Sequence, residues 1–263
     1  MTTAEPLDLT LTPPPGGEIL HQSDRATVVW GDCRDPAVIA ACPRGYGLLL
    51  TDPPYGVRFN SGRSGTFSEI TGDDGSVDWP TALGLWADRL AEGRHVYAFG
   101  YAADVLAAPL RLGGTAPLMW DKRLTGMGNL AQNWGPAHEP IAFGVHTRSA
   151  AGRARGDGRL AARLRHGSVL RHQRPNSRGA SRHSNEKPIP LLMELIESST
   201  RRADAEQPGD LVVDPCAGSG STAVAAVLLG RRAHVVEIDR HYAEVAVERV
   251  RAAEKLARQI EAA

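Results

Sequence analysis

The most constraining stretch of the chain is the run Leu211-Val212-Val213, which leads through Asp214-Pro215-Cys216-Ala217-Gly218-Ser219-Gly220 into a segment from about Ser221 to Leu229. The first three residues, bounded by Pro208-Gly209-Asp210 and by the Gly-rich turn, read as a buried strand. Val224, Val227 and Leu228 then recur at helical spacing, with Gly230 as the stop. Ala233-His234-Val235-Val236 is a second apolar run and ends at Glu237. Strand, helix and strand in so short a span imply a parallel pair, because the crossover helix returns the chain to the same edge. Gly218 and Gly220 let the backbone approach a ligand, and the helix start offers free N–H groups to it. The turn is neither Gly-x-Gly-x-x-Gly, since position 223 is Ala, nor a phosphate-binding loop with Gly-Lys-Ser/Thr. Asp214 at its head would repel a pyrophosphate and suits a cationic ligand. S-adenosylmethionine, with ammonium and sulfonium groups, fits better than NAD or ATP. Glu237 is placed to accept hydrogen bonds from ribose hydroxyls. A strand–turn–helix without a ligand is the alternative.

The earlier half repeats the alternation. Ala26 to Trp30 reads as a strand ending in Gly31-Asp32-Cys33, and Asp35-Pro36 supplies an N-cap and a first-turn proline for a short helix. Tyr46 to Leu50 is a further buried strand and runs into Asp52-Pro53-Pro54-Tyr55. Two prolines fix the path out of the sheet and cannot continue a strand ladder. The chain therefore presents Tyr55 beside the Asp52 carboxylate at a strand's carboxyl end, a pairing that suits a flat, amine-bearing substrate; a simple turn is the competing reading. Gly56 to Val77 carries five glycines and reads as a lid or binding loop. Asp78 and Pro80 open a helix with Leu83, Trp86 and Leu90 on one face. His95–Gly100 is expected to be a strand, Ala102–Leu112 a helix, Pro117–Trp120 a strand and Glu139–His146 an edge or antiparallel strand. Ser184 or Asn185 is expected to cap a helix carrying Leu192, Leu195 and Ile196, and a last helix carries Tyr242, Val245 and Val250. Residues 1–25 read as an N-terminal arm and 26–263 as one α/β domain.

The 263 residues carry no net charge, but the distribution is uneven. From Arg148 to Lys187 there are ten Arg and one Lys against Asp157 and Glu186 alone. This stretch is poor in large apolar residues and reads as a flexible basic insert suited to phosphate binding, with Arg153, Arg155, Arg159, Arg163, Arg165, Arg171, Arg174 and Arg178 as candidate DNA contacts. Cys33, Cys42 and Cys216 have neither metal-ligand spacing nor an even count, which fits a reducing cytoplasm. His138, His166, His172 and His183 are irregularly spaced and suggest phosphate or solvent contacts more than a metal site. Trp120 and Trp134 read as core or rim packing. No apolar run reaches membrane-spanning length, and the expectation is a cytoplasmic protein needing no metal.

Taken together, Asp52-Pro53-Pro54-Tyr55, His183 followed by Glu186-Lys187-Pro188, Asp214 to Gly220, and Glu237 before Asp239 and Tyr242 resemble an amino-group DNA methyltransferase. The order, with the tetrapeptide first, a basic variable region at about 125–182 next and the cofactor turn last, resembles the permuted β class of that family. The resemblance implies a Rossmann-like methyltransferase sheet, mostly parallel with one antiparallel strand, helices on both faces and a small basic target-recognition insert. It implies that Asp52 and the Pro53 carbonyl accept hydrogen bonds from an exocyclic amine, with Pro54 completing the turn and Tyr55 stacking on a base flipped out of duplex DNA. S-adenosylmethionine would lie against Asp214, Pro215, Cys216, Ala217, Gly218, Ser219 and Gly220. Ser221 or Thr222, and Lys187, would be near its carboxylate, Glu237 and Ile238 at its ribose, and Asp32 with Cys33 at its adenine. The Asp form of the tetrapeptide favours adenine N6. Cytosine N4, an RNA or protein-amide target, and a non-catalytic nucleic-acid-binding domain are the alternatives. The short variable region suggests a short recognition site or help from a second protomer in a homodimer.

Overall fold

The computed structural model describes residues 12–55, 74–123, 133–135, 137–155, 166–174 and 186–262, with the backbone alone for positions 154 and 155. Residues 56–73 of the loop expected over Gly56–Val77, His183 and the expected caps Ser184 and Asn185 lie outside the described residues.

Nine strands form one sheet: β1 (Glu18–Gln22), β2 (Ala26–Trp30), β3 (Tyr46–Thr51), β4 (Leu90–Phe99), β5 (Leu112–Asp121), β6 (His138–His146), β7 (Val169–Arg171), β8 (Leu211–Asp214) and β9 (Arg232–Glu237), in the order β1-β2-β9-β8-β3-β4-β6-β5-β7. The five central strands from β2 to β4 are mutually parallel. Strand β6 is the expected reversed strand, antiparallel to both β4 and β5, and is interior where an edge place was also open. A second reversed strand, β1, pairs with β2. Residues 18–22, inside the stretch expected to be an arm, are therefore part of the sheet.

The core follows from the pleat. Leu48 and Leu50 face one side with α5 (Ile189–Ser199), α6 (Ser221–Leu228) and α7 (Arg240–Glu261). Leu49 faces the other, with α1 (Pro36–Ala41), α2 (Trp79–Ala87) and the segment after α3 (Ala103–Ala107). A parallel strand covered on both faces has no polar side to show, which is why β3 reads as one continuous apolar run. Asp35 caps α1 by accepting from the Ala37 amide at 2.7 Å, and Asp78 caps α2. Helix α5 begins instead behind Pro188 with no side-chain cap.

Three boundaries differ from the sequence reading. The helix expected over 102–112 is the short α3, because Pro109 lacks the N–H that a longer helix needs. Arg111, at φ 52°, then turns the chain into β5. Leu90 starts β4 instead of extending the α2 stripe. Within the basic insert, Ala150–Arg155 forms α4 and Val169–Arg171 adds β7 to the edge beside β5. No helix among the described residues is long and apolar enough to cross a membrane.

The buried Glu254 carboxylate on α7 accepts from Ser23 at 2.5 Å and meets His21 Nε2 at 3.2 Å, tying the β1–β2 hairpin to the helix layer. Glu254→Ala removes the acceptor from two half-buried groups and is expected to lower unfolding free energy by about 1–3 kcal/mol in chemical denaturation.

Candidate active site

The carboxyl ends of β2, β9, β8, β3 and β4 lie side by side, and the first four deliver an acidic residue to one rim. Asp52 follows the last residue of β3, Asp214 closes β8, Glu237 closes β9 and Asp32 lies just beyond β2. In open α/β sheets this edge is the ligand-binding one.

Past Asp52 the prolines carry the chain out of the sheet, and the Tyr101 hydroxyl donates to the Pro54 carbonyl at 3.0 Å. The Tyr55 ring then lies directly on Gly100, just past β4. A Cβ at that position would fall 2.0 Å from Tyr55 Cε1, and Gly100 holds φ +77°. Only glycine leaves room for the ring at that backbone conformation. Tyr101 meets Tyr55 edge-on, with centroids 6.3 Å apart.

Tyr55 and Asp52 belong to a buried charge cluster. Lys187 Nζ donates to Asp52 Oδ2 at 2.5 Å and to the Tyr55 hydroxyl oxygen at 3.2 Å, and lies 3.0 Å from Glu139 Oε1. Lys122 pairs with Glu139 Oε2 at 3.1 Å. The Tyr55 hydroxyl lies within hydrogen-bond reach of Asp52 Oδ1 and, at 2.7 Å, of Glu139 Oε1. Burial pushes the Asp52 carboxyl above its ordinary range, partly opposed by Lys187. Burial acts on Glu139 in the same sense, but Lys187 and Lys122 outweigh it and hold that carboxyl below its ordinary range. For Lys187 the desolvation is likewise outweighed by the two carboxylates, so its ammonium is retained.

The Gly-rich turn occupies the neighbouring part of the rim. Gly220 is the N-cap of α6 at φ +78°, and a Cβ there would meet Ala246 of α7 at 2.8 Å. Glu237 is gripped by the amides of Gly218 at 2.7 Å and Asp239 at 2.8 Å. The Asp214 carboxylate accepts from the Cys216 amide at 3.0 Å and from the Thr222 hydroxyl. Burial raises Asp214 to about 6 and Glu237 to about 7. Mutual repulsion adds to both, from Asp52 on Asp214 and from Asp214 on Glu237.

Of the remaining expected residues, Ala217 donates its amide to the Val236 carbonyl between Pro215 and Gly218, and the Ile238 carbonyl accepts from the Trp30 indole. Cys33 and Cys216 bring their sulfurs to 3.9 Å, and contact with Cys33 together with burial raises the Cys216 thiol well above its ordinary value. Asp32 is engaged by Arg34 through three side-chain contacts of 2.7 to 3.1 Å. Ser219 and Ser221 face Arg249 of α7, which also pairs with Glu186 at 2.6 Å. The other Glu186 oxygen, Oε2, is buried and has no hydrogen-bond partner among the described residues. It borders a cleft of about 390 Å³ lined also by His172, Pro188 and Arg249. Lys187, expected beside the cofactor carboxylate, makes its described polar contacts with Asp52, Tyr55 and Glu139.

The basic residues are less uniform than the sequence suggests. Arg153 donates to the Thr147 and Arg148 carbonyls and serves the local fold. Arg171 is exposed on β7, 3.7 Å from Asp121. Arg174 is described, whereas Arg159, Arg163, Arg165, Arg178 and the Arg155 side chain lie outside the described residues. His166 and His172 both meet Glu194 of α5, at 3.1 and 2.7 Å, His166 from an exposed position. Trp120 is core, as expected, but Trp134 is 88% exposed.

Glu139, Lys122 and Gly100 were not foreseen. Glu139 sits one residue into β6, where the period-two pleat turns it inward, and that alternation was the available signal.

A sheet with this order, carrying an acidic tetrapeptide, a Gly-rich turn and a further acid at successive strand ends, defines a Rossmann-like methyltransferase fold. The PvuII DNA methyltransferase, described as cytosine-N4-specific, superposes with TM-score 0.64 over 94% of this chain and 96% of that one, at 15% identity. The M1.HpyAVI–SAM complex superposes with TM-score 0.55 over 79% of this chain and 89% of that one, at 17% identity. Residues 117–248 match the N6/N4 methyltransferase family, described as DNA methylase. That is half of the chain, and the chain belongs to this family. Among curated relatives, the type II methyltransferase M2.DpnII of Streptococcus pneumoniae is 37% identical over 73 residues, 28% of this chain and 25% of that protein. The chain's match spans a third or less of the first curated relatives' own length.

Lys187→Met leaves two buried carboxylates sharing no central cation, and is expected to cost on the order of 3 kcal/mol of stability, read by chemical denaturation at pH 7.

Proposed function

We propose that the chain transfers a methyl group from S-adenosylmethionine to an exocyclic amine of a base in duplex DNA, adenine N6 ahead of cytosine N4. The observation that carries this reading is the adjacency, on one sheet edge, of Asp52-Pro53-Pro54-Tyr55 with the Gly218–Gly220 turn and Glu237.

The residues present fit that cofactor. Asp214 and Glu237 place two buried carboxyls at the turn with no lysine or arginine among their described contacts, which suits a cationic ligand and not a pyrophosphate. Asp214 and the turn amides would hold the methionine end, and Glu237 retains lone pairs for ribose hydroxyls beyond the two amides it accepts. When bound, the cofactor supplies an electrophilic methyl group on a cationic sulfur.

The chain's own residues do the rest. An exocyclic amine is a weak nucleophile because its lone pair is spread into the ring. Asp52 and the Pro53 carbonyl accept its two N–H groups and localise that pair. With the cofactor bound, the nitrogen so activated would take its methyl group in exchange for the bond to sulfur, and Asp52 would receive the surplus proton on nitrogen. The Tyr55 ring, seated on Gly100, offers a face on which a base turned out of the duplex stacks. Arg171 and Arg174, with Arg155, Arg159, Arg163, Arg165 and Arg178, are the phosphate contacts. Adenine is preferred on the Asp form of the tetrapeptide.

Two measurements bear on this reading. Labelled cofactor is offered with duplex DNA, RNA and protein, and transfer confined to DNA with N6-methyladenine in the digest is expected; Asp52→Ala should then lose at least about a hundredfold in rate. Transfer to protein alone, or an unimpaired Asp52→Ala, contradicts it. The second concerns pH. Asp214 and Glu237 have folded pKa values of about 6 and about 7, above their unfolded ones, so the ligand-free folded state binds more protons than the unfolded state between about pH 4 and 7. Their stabilising contribution is present below about pH 4 and is lost as pH rises through about 7. A cationic cofactor favours the ionised forms, so its affinity should rise over the interval in which the ligand-free protein loses stability. Calorimetric titration at pH 5.5 and 8 reads the effect; equal affinities at both contradict it.

A further inference from the structure

The Tyr55 hydroxyl has one proton and faces two carboxylate oxygens, Asp52 Oδ1 and Glu139 Oε1, while Lys187 donates to its oxygen. One hydroxyl proton serves one of the two carboxylates at a time, and Lys187 also lies 3.0 Å from Glu139 Oε1. When either carboxyl gains a proton, that acid can donate to the Tyr55 oxygen and the Tyr55 hydroxyl to the other. The two candidates are not equivalent. Glu139 is paired with two ammonium groups, Lys187 at 3.0 Å and Lys122 at 3.1 Å, whereas Asp52 is paired with Lys187 alone.

We propose that Glu139, held ionised by Lys122 and Lys187, is a positioning residue that directs the proton released by the target amine onto Asp52. The inference rests on the methyl-transfer reading and deepens it. Before transfer two ionised carboxylates share the single Tyr55 proton. After transfer Asp52 O–H can donate to the Tyr55 oxygen and Tyr55 O–H to Glu139, which stays ionised between its two lysines, so the cluster is a preorganised acceptor for the proton released in the reaction. The balance closes within the cluster: the amine nitrogen loses one proton, Asp52 gains it, and Glu139 and both lysines keep their charges. The shifts agree in direction, with burial raising Asp52 and the two lysines holding Glu139 down against burial. Among the described residues Asp52 also faces the Tyr55 hydroxyl and the Asp214 carboxylate at the end of β8, which both variants below leave in place.

The test is the pH dependence of single-turnover transfer to DNA, with cofactor saturating so that its own pH-dependent binding drops out. The rate falls on the acid side as Asp52 becomes protonated. Glu139→Gln removes a negative charge beside Asp52 and should move that acid limb down by about one pH unit, with at least a tenfold lower plateau. Lys122→Met removes a positive charge and should move the limb up by a similar amount. A structural role for either residue lowers the plateau without moving the limb in opposite senses. Limbs unmoved, or moved the same way in both variants, overturn the inference while unaltered protein continues to transfer methyl groups. An unaltered protein that transfers no methyl group to DNA overturns the methyl-transfer reading and this inference with it. Cofactor affinity within about threefold of unaltered protein confirms that each variant is folded, and Glu139→Asp should restore the limb towards its original position.

Discussion

A single ammonium group, Lys187 Nζ, joins three parts of the chain that are far apart in sequence: the tetrapeptide after β3, Glu139 on β6 and the stretch leading into α5. Its side chain is 8% exposed, so it is stable as a cation only because two carboxylates face it. That dependence runs both ways. Asp52 and Glu139 need the same cation to be buried together, and the Tyr55 hydroxyl is fixed because all three charged groups surround it. Gly100 completes the arrangement from below by leaving the space that the Tyr55 ring fills. The site is thus specified by charge and by one missing Cβ, both held on a sheet whose strand ends converge.

The second half of the rim has the opposite electrostatic character. Asp214 and Glu237 are buried with amide partners but without a lysine or arginine in their described contacts, and burial raises both. A neutralised cluster beside an uncompensated one is a sensible division for the proposed reaction. The uncompensated side awaits a cationic ligand, and the neutral side keeps one carboxylate basic without collecting excess charge.

Much of this was legible in the sequence. The apolar runs ending at Asp52, Asp214 and Glu237 are strands, and the period of each segment assigned helix or strand correctly across the central sheet, because parallel strands buried on both faces leave an unmistakable run of Leu and Val. What local pattern does not contain is lateral order. That β6 inserts between β4 and β5, and so carries Glu139 into the tetrapeptide, depends on pairings set by the whole sheet. The resemblance puts Lys187 near the cofactor carboxylate, and in the structure its four-carbon stem carries the charge to Asp52, a contact that no local pattern announces. The basic insert misled for a related reason: composition treats all arginines alike, but Arg153 serves backbone carbonyls and Arg171 faces solvent. The hairpin strand β1 was missed because an edge strand of five residues has only one buried side to declare itself.

The central claim is that the tetrapeptide and the Gly-rich turn line one binding site. It is tested most directly by ultraviolet cross-linking of S-adenosylmethionine labelled in its methyl group, followed by peptide mapping. The account predicts label in peptides containing Asp52–Tyr55 or Asp214–Thr222, abolished by excess unlabelled cofactor. Label confined to peptides from α4 or from the C-terminal half of α7, or label that unlabelled cofactor does not displace, would contradict it.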